Sequence, residues 1–358
     1  MKVNNNIIQE NRLFLIAEAG VNYYDIAKKE GISNVAAAKL MVREAALAGA
    51  HAIKFQIYKA GKIASKYSPS YWDTTKEPIT SQYELFKKFD TTTNEDWEEI
   101  AKYAKKNNIV FMATPFDHEA VELVDKLSPI FKVASADITN FPMLRLIAKK
   151  GKPIVISTGA STKKEIAEAI GVIEKEGNKK IILLHCVLNY PTKYEKANLF
   201  KIPQMQKLFP NYAIGYSDHT FPDDKMLVLT TAYLLGARVI EKHFTLDKTI
   251  KGNDHFHSMD QVDLKKFIDN IRFFNTIFGD SRITEEKYLK NEAMAIKNAR
   301  RSIVASRDLK KGEKLTLDTI MIKRPGVGIS PKFINQVIGK QLKKGIKEDR
   351  PLQWHYFN

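Results

Sequence analysis

Short apolar runs rich in β-branched residues recur along the chain, and each run ends in polar side chains. Runs of this length and composition predict buried strands. The eight runs occupy residues 14–20, 52–58, 109–116, 130–137, 153–159, 181–187, 213–219 and 238–245.

Between these runs, apolar positions recur every three or four residues, as they do in amphipathic helices. The predicted helices occupy residues 34–48, 94–107, 118–126, 143–150, 162–176 and 223–235. Asn34, Asn94 and Thr162 are the expected N-caps. Eight alternations of strand and helix predict an α/β fold of the (β/α)8 TIM-barrel type, in which functional side chains follow the C-terminal ends of the strands.

The pattern changes after the eighth strand. Residues 260–278 predict the last barrel helix, and residues 284–298 are charged with helical periodicity. From residue 300 onward, short strand-like runs alternate with glycine and proline turns. We therefore predict a barrel domain at 1–281, a helical linker at 282–299 and a second domain at 300–358, which is small enough to depend on packing against the barrel or a partner subunit.

Composition narrows the class of protein. The chain has 358 residues, 44% of them hydrophobic, which is enough for a full core. No apolar stretch is long enough to span a bilayer, so no membrane partner is expected. Residues 1–11 are polar and lack the apolar segment of a signal peptide, which favours a cytoplasmic location. The single cysteine, Cys186, fits that compartment, and its apolar neighbours favour a buried structural role.

The net charge of +16 is concentrated near the C-terminus. Residues 281–358 contain 18 Lys/Arg and 8 Asp/Glu, so they carry +10 of the total. Such a segment could bind nucleic acid, attract an anionic small molecule or form a solvated lysine-rich surface. The sequence lacks zinc-finger spacing, an RNP-like aromatic pattern and an arginine-rich run, so we expect no nucleic-acid partner.

Charged and hydroxyl side chains collect at the predicted strand ends. Because these ends share one rim of a barrel, lysines and hydroxyls there would suit a phosphate and a carboxylate. His219 and His243, on neighbouring strands, form a candidate metal pair, although each alone is also typical of a structural histidine. The rim candidates are Glu18, Asn22, Lys54, Gln56, Thr114, Lys132, Ser135, Asp137, Ser157, Thr158, Asn189, Tyr190, Ser217, Asp218, His219, Glu241, Lys242 and His243.

Eight ordered motifs resemble those of the sialic acid synthase family. They are EAGVN at 18–22, IKFQ at 53–56, ATPF at 113–116, KVAS at 132–135, ISTG at 156–159, YSDHT at 216–220, EKHFT at 241–245 and KRPG at 323–326. The resemblance extends from residue 12 to the C-terminus. It implies a TIM barrel followed by an antifreeze-like (SAF) domain, which matches the organisation predicted above.

The resemblance also implies a reaction and its ligands. Phosphoenolpyruvate would condense with an N-acetylated mannose-type sugar and water to a nine-carbon 2-keto acid, with C–O bond cleavage and release of phosphate. His219 and His243 would hold Mn²⁺ or Mg²⁺. The phosphoenolpyruvate-binding residues implied are Lys54, Thr114, Lys132, Ser135, Ser157 and Ser217. The residues implied to face the sugar are Glu18, Gln56, Asp137, Tyr190 and Asp254, together with Arg324 from the second subunit of a domain-swapped homodimer.

The chemistry of this reaction calls for the same groups. Two neutral imidazoles leave positions open on a divalent ion, which can then polarise the sugar aldehyde. Lys54, Lys132 and the hydroxyls would neutralise the phosphate and carboxylate. Water must add at carbon 2 of phosphoenolpyruvate, and either Glu241 or Glu18 could act as its base, with Glu241 preferred.

Several positions depart from the family pattern. Tyr23 and Tyr24 begin an insert that runs to residue 33 and is expected to alter one wall of the sugar pocket. Asp137 stands where Glu is common, and Leu188 replaces a polar residue, which makes Asn189 a weaker candidate ligand. The loop after the eighth strand contains two further histidines, which could line the rim of the sugar site or add metal affinity, although we interpret them as solvated loop residues. These are His255 and His257.

Two other functions are consistent with parts of the sequence. A related phosphoenolpyruvate-dependent keto-sugar-acid synthase would account for the barrel without the second domain. A non-enzymatic protein that binds a ligand through its basic C-terminal domain would account for the charge alone. The sequence also leaves the sugar open between N-acetylmannosamine and a 2,4-diacetamido-trideoxy hexose.

Overall fold

All eight predicted strands are present in the computed structural model, which describes residues 12–357 except 73, 76, 253 and 281. Residues 1–11, on which the expected cytoplasmic location depends, lie outside the described residues. The strands are β1 (Phe14–Gly20), β2 (Ala52–Ile57), β3 (Val110–Pro115), β4 (Phe131–Val133), β5 (Ile154–Ser157), β6 (Ile181–Cys186), β7 (Ala213–Asp218) and β8 (Val239–His243).

The strands form a nearly closed parallel barrel, which confirms the predicted fold. Their order is β3-β2-β1-β8-β7-β6-β5-β4, and parallel ladders join seven pairs of neighbours. Between β3 and β4 the Ser128 hydroxyl bridges the strands, 3.0 Å from the Phe111 carbonyl oxygen and 2.6 Å from that of Ile130.

Eleven helices belong to the barrel part of the described chain, and they include the six predicted between the strands and the predicted last barrel helix. The helices α1, α3 and α4 were not predicted. None of the described helices has an apolar stretch long enough to cross a membrane. The eleven are α1 (Tyr23–Glu30), α2 (Asn34–Ala48), α3 (Ala60–Ile63), α4 (Gln82–Lys88), α5 (Asn94–Lys106), α6 (His118–Leu127), α7 (Phe141–Lys149), α8 (Lys163–Lys175), α9 (Lys201–Leu208), α10 (Leu227–Leu234) and α11 (Gln261–Phe278).

Three of these helices begin at side-chain caps near the expected positions. Thr162 caps α8 through the amide of residue 165, as predicted. The other two caps lie one residue earlier than predicted, at Ser33 for α2 and Thr93 for α5. Each of these hydroxyls accepts a hydrogen bond from an amide of the first turn, which would otherwise have no partner.

The interior of the barrel has an apolar floor beneath a polar layer. Inward-facing residues alternate along each strand, so Ile16 of β1 is followed on the same face by Glu18. The floor leaves no room for a side chain at position 215, where a Cβ atom would lie 2.1 Å from the Val239 carbonyl oxygen and 2.5 Å from Leu184 Cδ2. The floor residues are Phe14, Ile16, Ala52, Met112, Ile130, Val155, Ile182, Leu184 and Val239.

A second compact unit begins at Phe278. The first predicted domain boundary, at residue 281, lies outside the described residues. The antiparallel strands β9 and β10 and the short helices around them enclose a separate apolar core that includes Ile303, Leu315 and Leu352. The elements are α12 (Glu285–Asn291), α13 (Ala293–Ala299), β9 (Ser302–Ala305), β10 (Ile320–Lys323) and α14 (Ile334–Val337).

The predicted linker is two helices rather than one. The interruption falls at Glu292, between α12 and α13. The second helix packs within the C-terminal unit, because the Gly326 amide donates to the Lys297 carbonyl oxygen at 2.8 Å. Close approach there requires glycine, since a Cβ atom at 326 would lie 2.9 Å from the Ile296 carbonyl oxygen.

Candidate active site

A cavity of about 440 Å³ opens at the C-terminal ends of the barrel strands. Asp254 lines a smaller adjoining cavity that shares Gln56, Tyr190 and His243 with the first. Arg324 belongs to the second unit, where it is exposed just after β10. The other residues that the family resemblance implies for substrate binding, metal binding or catalysis all line the main cavity: Glu18, Lys54, Gln56, Thr114, Lys132, Ser135, Asp137, Ser157, Tyr190, Ser217, His219, Glu241 and His243.

Two lysines and two glutamates form a buried charged layer at the base of the cavity. Lys54 Nζ lies 2.6 Å from Glu18 Oε2 and 3.8 Å from Glu241 Oε2. Lys132 Nζ lies 3.6 Å from Glu241 Oε1. All four side chains are at least nine-tenths buried. Because an isolated buried charge is very costly, the formal neutrality of this layer allows it to exist.

The hydroxyls at the strand ends are tied into this layer to different extents. Lys54 Nζ donates to Thr114 Oγ1 at 3.0 Å, and Ser217 Oγ donates to Glu241 Oε1 at 3.1 Å. Ser135 Oγ accepts from the Gly159 amide at 2.9 Å. Ser157 Oγ is buried and makes no hydrogen bond to any described residue. That hydroxyl is therefore available to a ligand.

The charged layer separates the pKa values of its two carboxyl groups. Burial raises the pKa of Glu18, and the adjacent Lys54 offsets this only in part. Burial acts on Glu241 too, but Lys132 and Lys54 together hold its pKa below the ordinary value. Burial lowers the pKa of Lys132. Glu241 is therefore the permanent anion of the layer, and Glu18 is the carboxylate that accepts a proton more readily.

His219 and His243 meet at the rim, as their positions on neighbouring strands predict. Their ring centroids are 5.6 Å apart. The Nδ1 atom of His219 lies 2.7 Å from the Val187 carbonyl oxygen, and donation to that oxygen leaves Nε2 as the free lone pair. Burial and nearby imidazoles hold the pKa of His243 well below its usual range, so this ring is neutral at physiological pH.

The expectation that His255 and His257 are solvated is wrong, because both side chains are fully buried. The loop that carries them folds back over β8, where the Met259 amide donates to the His243 carbonyl oxygen at 2.8 Å. His255 Nδ1 lies 2.7 Å from Thr245 Oγ1. The ring centroid of His257 is 5.0 Å from that of His243.

Asp218 and Lys242 were predicted at the rim, but their side chains lie outside the barrel wall. Lys242 Nζ contacts Asp218 Oδ2 at 2.5 Å and donates to the Thr220 carbonyl oxygen at 2.7 Å. Tyr216 and Thr220 also donate to the Asp218 carboxylate. The next residue along each strand, His219 or His243, faces the cavity, so this ion pair fixes the strand ends that carry the two histidines.

One wall of the cavity comes from the segment between β2 and α5, which sequence analysis left unassigned. The aromatic residues of this segment could have identified it as a buried wall, because Tyr58 and Trp72 pack into a separate apolar cluster. Tyr23 and Tyr24 lie behind this wall, where both hydroxyls contact Thr92, rather than in the cavity. The lining residues not predicted are Tyr58, Ile63, Tyr71, Gln82, Phe86, Phe116, Ala134, Ala136, Cys186 and Leu188.

Three residues at or just after the end of β6 differ in their placement. Cys186 is buried, as predicted, and its Sγ lies 3.9 Å from His219 Nδ1. Asn189 is exposed and does not line the cavity, so it is not placed as a ligand. Leu188, by contrast, does line it.

Known proteins resemble this chain in both fold and sequence. The NeuB family matches residues 41–282, and the SAF domain matches residues 300–357. The chain is 41% identical over 345 residues to an uncharacterized protein of Methanocaldococcus jannaschii, covering 95% of this chain and 93% of that protein. It is 39% identical over 344 residues to N,N'-diacetyllegionaminic acid synthase of Campylobacter jejuni, covering 94% and 98%.

A solved structure also resembles this chain. The crystal structure of N-acetylneuraminic acid (sialic acid) synthetase from Leptospira borgpetersenii matches with a TM-score of 0.69 and 30% identity, covering 81% of this chain and 94% of that one. The chain therefore belongs to the NeuB family, and its C-terminal unit contains a SAF domain.

We predict that Lys242→Met destabilises the barrel by about 3–5 kcal/mol, because it leaves the buried Asp218 carboxylate without its cation. Urea unfolding of the ligand-free protein in chelator, followed by circular dichroism, measures this change. Lys265→Met is the matched control, since its 3.1 Å pair with Asp269 is exposed and contributes less than about 1 kcal/mol. Equal effects of the two substitutions would contradict the prediction.

Proposed function

We propose that this protein condenses phosphoenolpyruvate with an N-acylated mannose-type amino sugar and water, giving a nine-carbon 2-keto acid and phosphate. The observation that carries the proposal is the buried Lys54–Glu18–Glu241–Lys132 layer beneath a cavity large enough for two small substrates. Membership of the NeuB family and the likeness to a protein named as a legionaminic acid synthase support it.

Phosphoenolpyruvate would bind over the charged layer. Lys54 and Lys132 would face its phosphate and carboxylate, and the unpaired Ser157 hydroxyl would donate to one of their oxygens. Thr114, Ser135 and Ser217 already hydrogen-bond within the layer or beside it, so they would hold the lysines and Glu241 in place as well as contact the ligand.

A divalent ion is required by this proposal, and the histidines at the rim fit one. His243 Nδ1 is buried without a hydrogen bond to any described residue, and His219 Nε2 is left free by the contact of Nδ1 with Val187. Mn²⁺ and Mg²⁺ are the ions expected from the family resemblance. Such an ion, when bound, supplies Lewis-acid polarisation of the sugar aldehyde.

The sugar would occupy the outer part of the cavity. Gln56, Asp137 and Tyr190 present polar groups there, and Gln56 Nε2 donates to Glu18 Oε1 at 3.1 Å. Asp254 would face the sugar from the adjoining cavity. Aromatic side chains of the wall that follows β2 would pack against its apolar faces and exclude water.

Glu18 is the better candidate for the base that activates water. A general base works best when its pKa lies near the working pH, and burial raises the pKa of Glu18 towards that range. Glu241, which the sequence favoured, is held ionised between two lysines and is a weaker proton acceptor. We therefore assign Glu18 to proton transfer and Glu241 to holding Lys54 and Lys132.

We predict that Glu18→Gln lowers kcat by about 10²–10⁴-fold with little change in the phosphoenolpyruvate KM, because it removes the proton acceptor and keeps the shape of the side chain. Glu241→Gln should retain more of kcat and change the phosphoenolpyruvate KM instead. Steady-state kinetics at saturating sugar separate the two. The reverse ranking of kcat would show that Glu241 is the base.

Phosphate release tests the proposed reaction. Carbon 3 of phosphoenolpyruvate forms a bond to the sugar aldehyde carbon, water adds at carbon 2, and the bond from carbon 2 to the bridging oxygen breaks. With metal present, the purified protein should release phosphate only when a sugar is added, and the label of bridging-¹⁸O phosphoenolpyruvate should appear in the phosphate. Chelation should abolish release, and Mn²⁺ or Mg²⁺ should restore it.

The choice of sugars makes that test specific. The panel should contain N-acetylmannosamine and a 2,4-diacetamido-trideoxy hexose, because relatives carry names for products of both kinds. Aldose phosphates, including erythrose 4-phosphate, are added to the panel as substrates of the alternative keto-sugar-acid synthases. Release with one of those alone, or label retained in the keto acid, would contradict the proposal. No release with any sugar would favour a non-enzymatic function.

We also propose a swapped homodimer in which the SAF domain of each chain completes the site of the other. Arg324 is exposed after β10, and a guanidinium there could donate to the acyl oxygen of the sugar. Such a charged hydrogen bond contributes about 1.5–3 kcal/mol. The domain has an excess of basic residues, which suits an anionic product.

We predict that Arg324→Ala raises the sugar KM by about 10- to 100-fold and changes the phosphoenolpyruvate KM far less. Lys332→Ala, another exposed basic residue of this unit, is the control. After subunit exchange at a 1:1 ratio, Arg324→Ala and His219→Ala chains should regenerate about a quarter of the wild-type sites, because half of the dimers are mixed and each holds one intact site. Exchange without recovery at low sugar concentration would place Arg324 in the site of its own chain.

A further inference from the structure

Three side chains converge beside the main cavity: the imidazoles of His243 and His257 and the carboxylate of Asp254. One possible ligand atom from each lies within 4.8 Å of the others. His243 Nδ1 is 3.9 Å from Asp254 Oδ2, and His257 Nε2 is 3.8 Å from Asp254 Oδ1. These separations are too long for hydrogen bonds, so the groups face one another without bonding.

The polar atoms of this cluster are buried and unpaired. His243 Nδ1 and both ring nitrogens of His257 have no hydrogen bond to any described residue. His257 is fully buried and His243 nearly so. An unsatisfied buried polar atom is destabilising, and native structures contain few of them. A neutral imidazole has one nitrogen with a free lone pair, so two such rings in one place indicate a ligand that binds the lone pair of each.

The spacing of the cluster suits a metal ion. Three ligand atoms evenly placed around one ion at about 2.0–2.2 Å lie about 3–3.8 Å from one another. The two distances to the Asp254 oxygens, 3.9 and 3.8 Å, are at the upper end of that range. The three ligand atoms lie within 4.8 Å of one another, so they would close by up to about 1 Å around an ion, a movement within reach of side-chain rotation.

The loop that carries His257 is held in place independently of any ion. Asn22 Nδ2 donates to the Phe244 carbonyl oxygen at 3.0 Å and lies 3.4 Å from Ser258 Oγ. His255 anchors the same loop through Thr245, and its Nε2 lies 3.5 Å from Asp25 Oδ2. The cluster is therefore preorganised rather than assembled by the ion.

We propose that His257 and Asp254 join His243 as ligands of one divalent ion, and that this donor set selects a first-row transition ion over Mg²⁺. The inference rests on the proposed function, because the ion is the one that the reaction uses. It changes the sequence prediction in two respects: His257 becomes a ligand, and Asp254 faces the ion rather than the sugar alone. Imidazole nitrogens favour Fe²⁺, Co²⁺ or Zn²⁺, and Mn²⁺ is the weakest-binding transition ion at such a donor set, whereas Mg²⁺ prefers oxygen ligands and retains water.

Metal binding without substrates tests this inference. Chelated protein is titrated with Mn²⁺, and the free ion is followed by electron paramagnetic resonance; Mg²⁺ then competes. Wild type should bind one Mn²⁺ and prefer it to Mg²⁺ by at least about 10-fold. His257→Ala and Asp254→Asn should each weaken Mn²⁺ binding by at least about 10-fold and reduce the preference over Mg²⁺.

His185→Gln is the matched control, since this buried histidine lies on the outer face of β6 and bonds to the Ala197 carbonyl oxygen. It should bind Mn²⁺ as wild type does. Thermal unfolding in chelator checks that each variant folds, and His257→Gln replaces His257→Ala if the smaller side chain prevents folding. The visible spectrum of the Co²⁺-loaded protein should change in either His257 variant, because an imidazole leaves the ion.

The outcomes separate this inference from the proposed function. Unchanged Mn²⁺ affinity and an unchanged Co²⁺ spectrum in a folded His257 variant would overturn the inference. The proposed function would stand if, in that case, His243→Ala still abolished Mn²⁺ binding and the folded His257 variant still released phosphate. Wild-type protein that released phosphate in chelator and bound neither ion would overturn both.

Discussion

The site depends on one electrostatic constraint: four charged side chains share a space from which water is almost excluded. Glu18, Lys54, Lys132 and Glu241 can be ionised there only because each is within 4 Å of an opposite charge. The register of the barrel strands places these opposite charges next to each other. Lys54 is paired with Glu18 across β1 and β2, and Ser217 with Glu241 across β7 and β8. A shift of one residue in either ladder would move these side chains to the other face of the wall.

Side chains alternate between the inner and outer faces of each strand, which explains why adjacent residues have different functions. Asp218 and Lys242 form a satisfied ion pair outside the wall, while His219 and His243 point inward at the rim. The outer pair has no route to a substrate, so its contribution is to hold the strand ends in position. Polar side chains at a strand end therefore do not form one class. Those on the inner face can bind a ligand, and those on the outer face join neighbouring strand ends to each other.

The sequence predicted the strands, six helices between them, the last barrel helix and the inner rim, because these follow from periodicity and from the position of strand ends in a barrel. It did not predict which residue caps a helix where two neighbours are suitable, as at Ser33 and Asn34. It placed Asp218 on the rim because strand-end position was considered without the alternation of faces. It treated His257 as solvated because loop burial depends on contacts distant in sequence, here the bond from the Met259 amide to His243.

Charge balance also connects the proposed metal centre with the proposed binding of phosphoenolpyruvate. The buried layer is formally neutral before a ligand arrives, with two lysines and two glutamates. A phosphate carries about −1.5 to −2 at neutral pH, and phosphoenolpyruvate adds a carboxylate to it. The imidazoles of His243 and His257 are neutral because burial holds their pKa values low, so they add no positive charge. In the proposed site, a divalent cation beside the layer would make an anionic substrate tolerable in a buried cavity, and the two histidines would bind that cation without adding negative charge of their own.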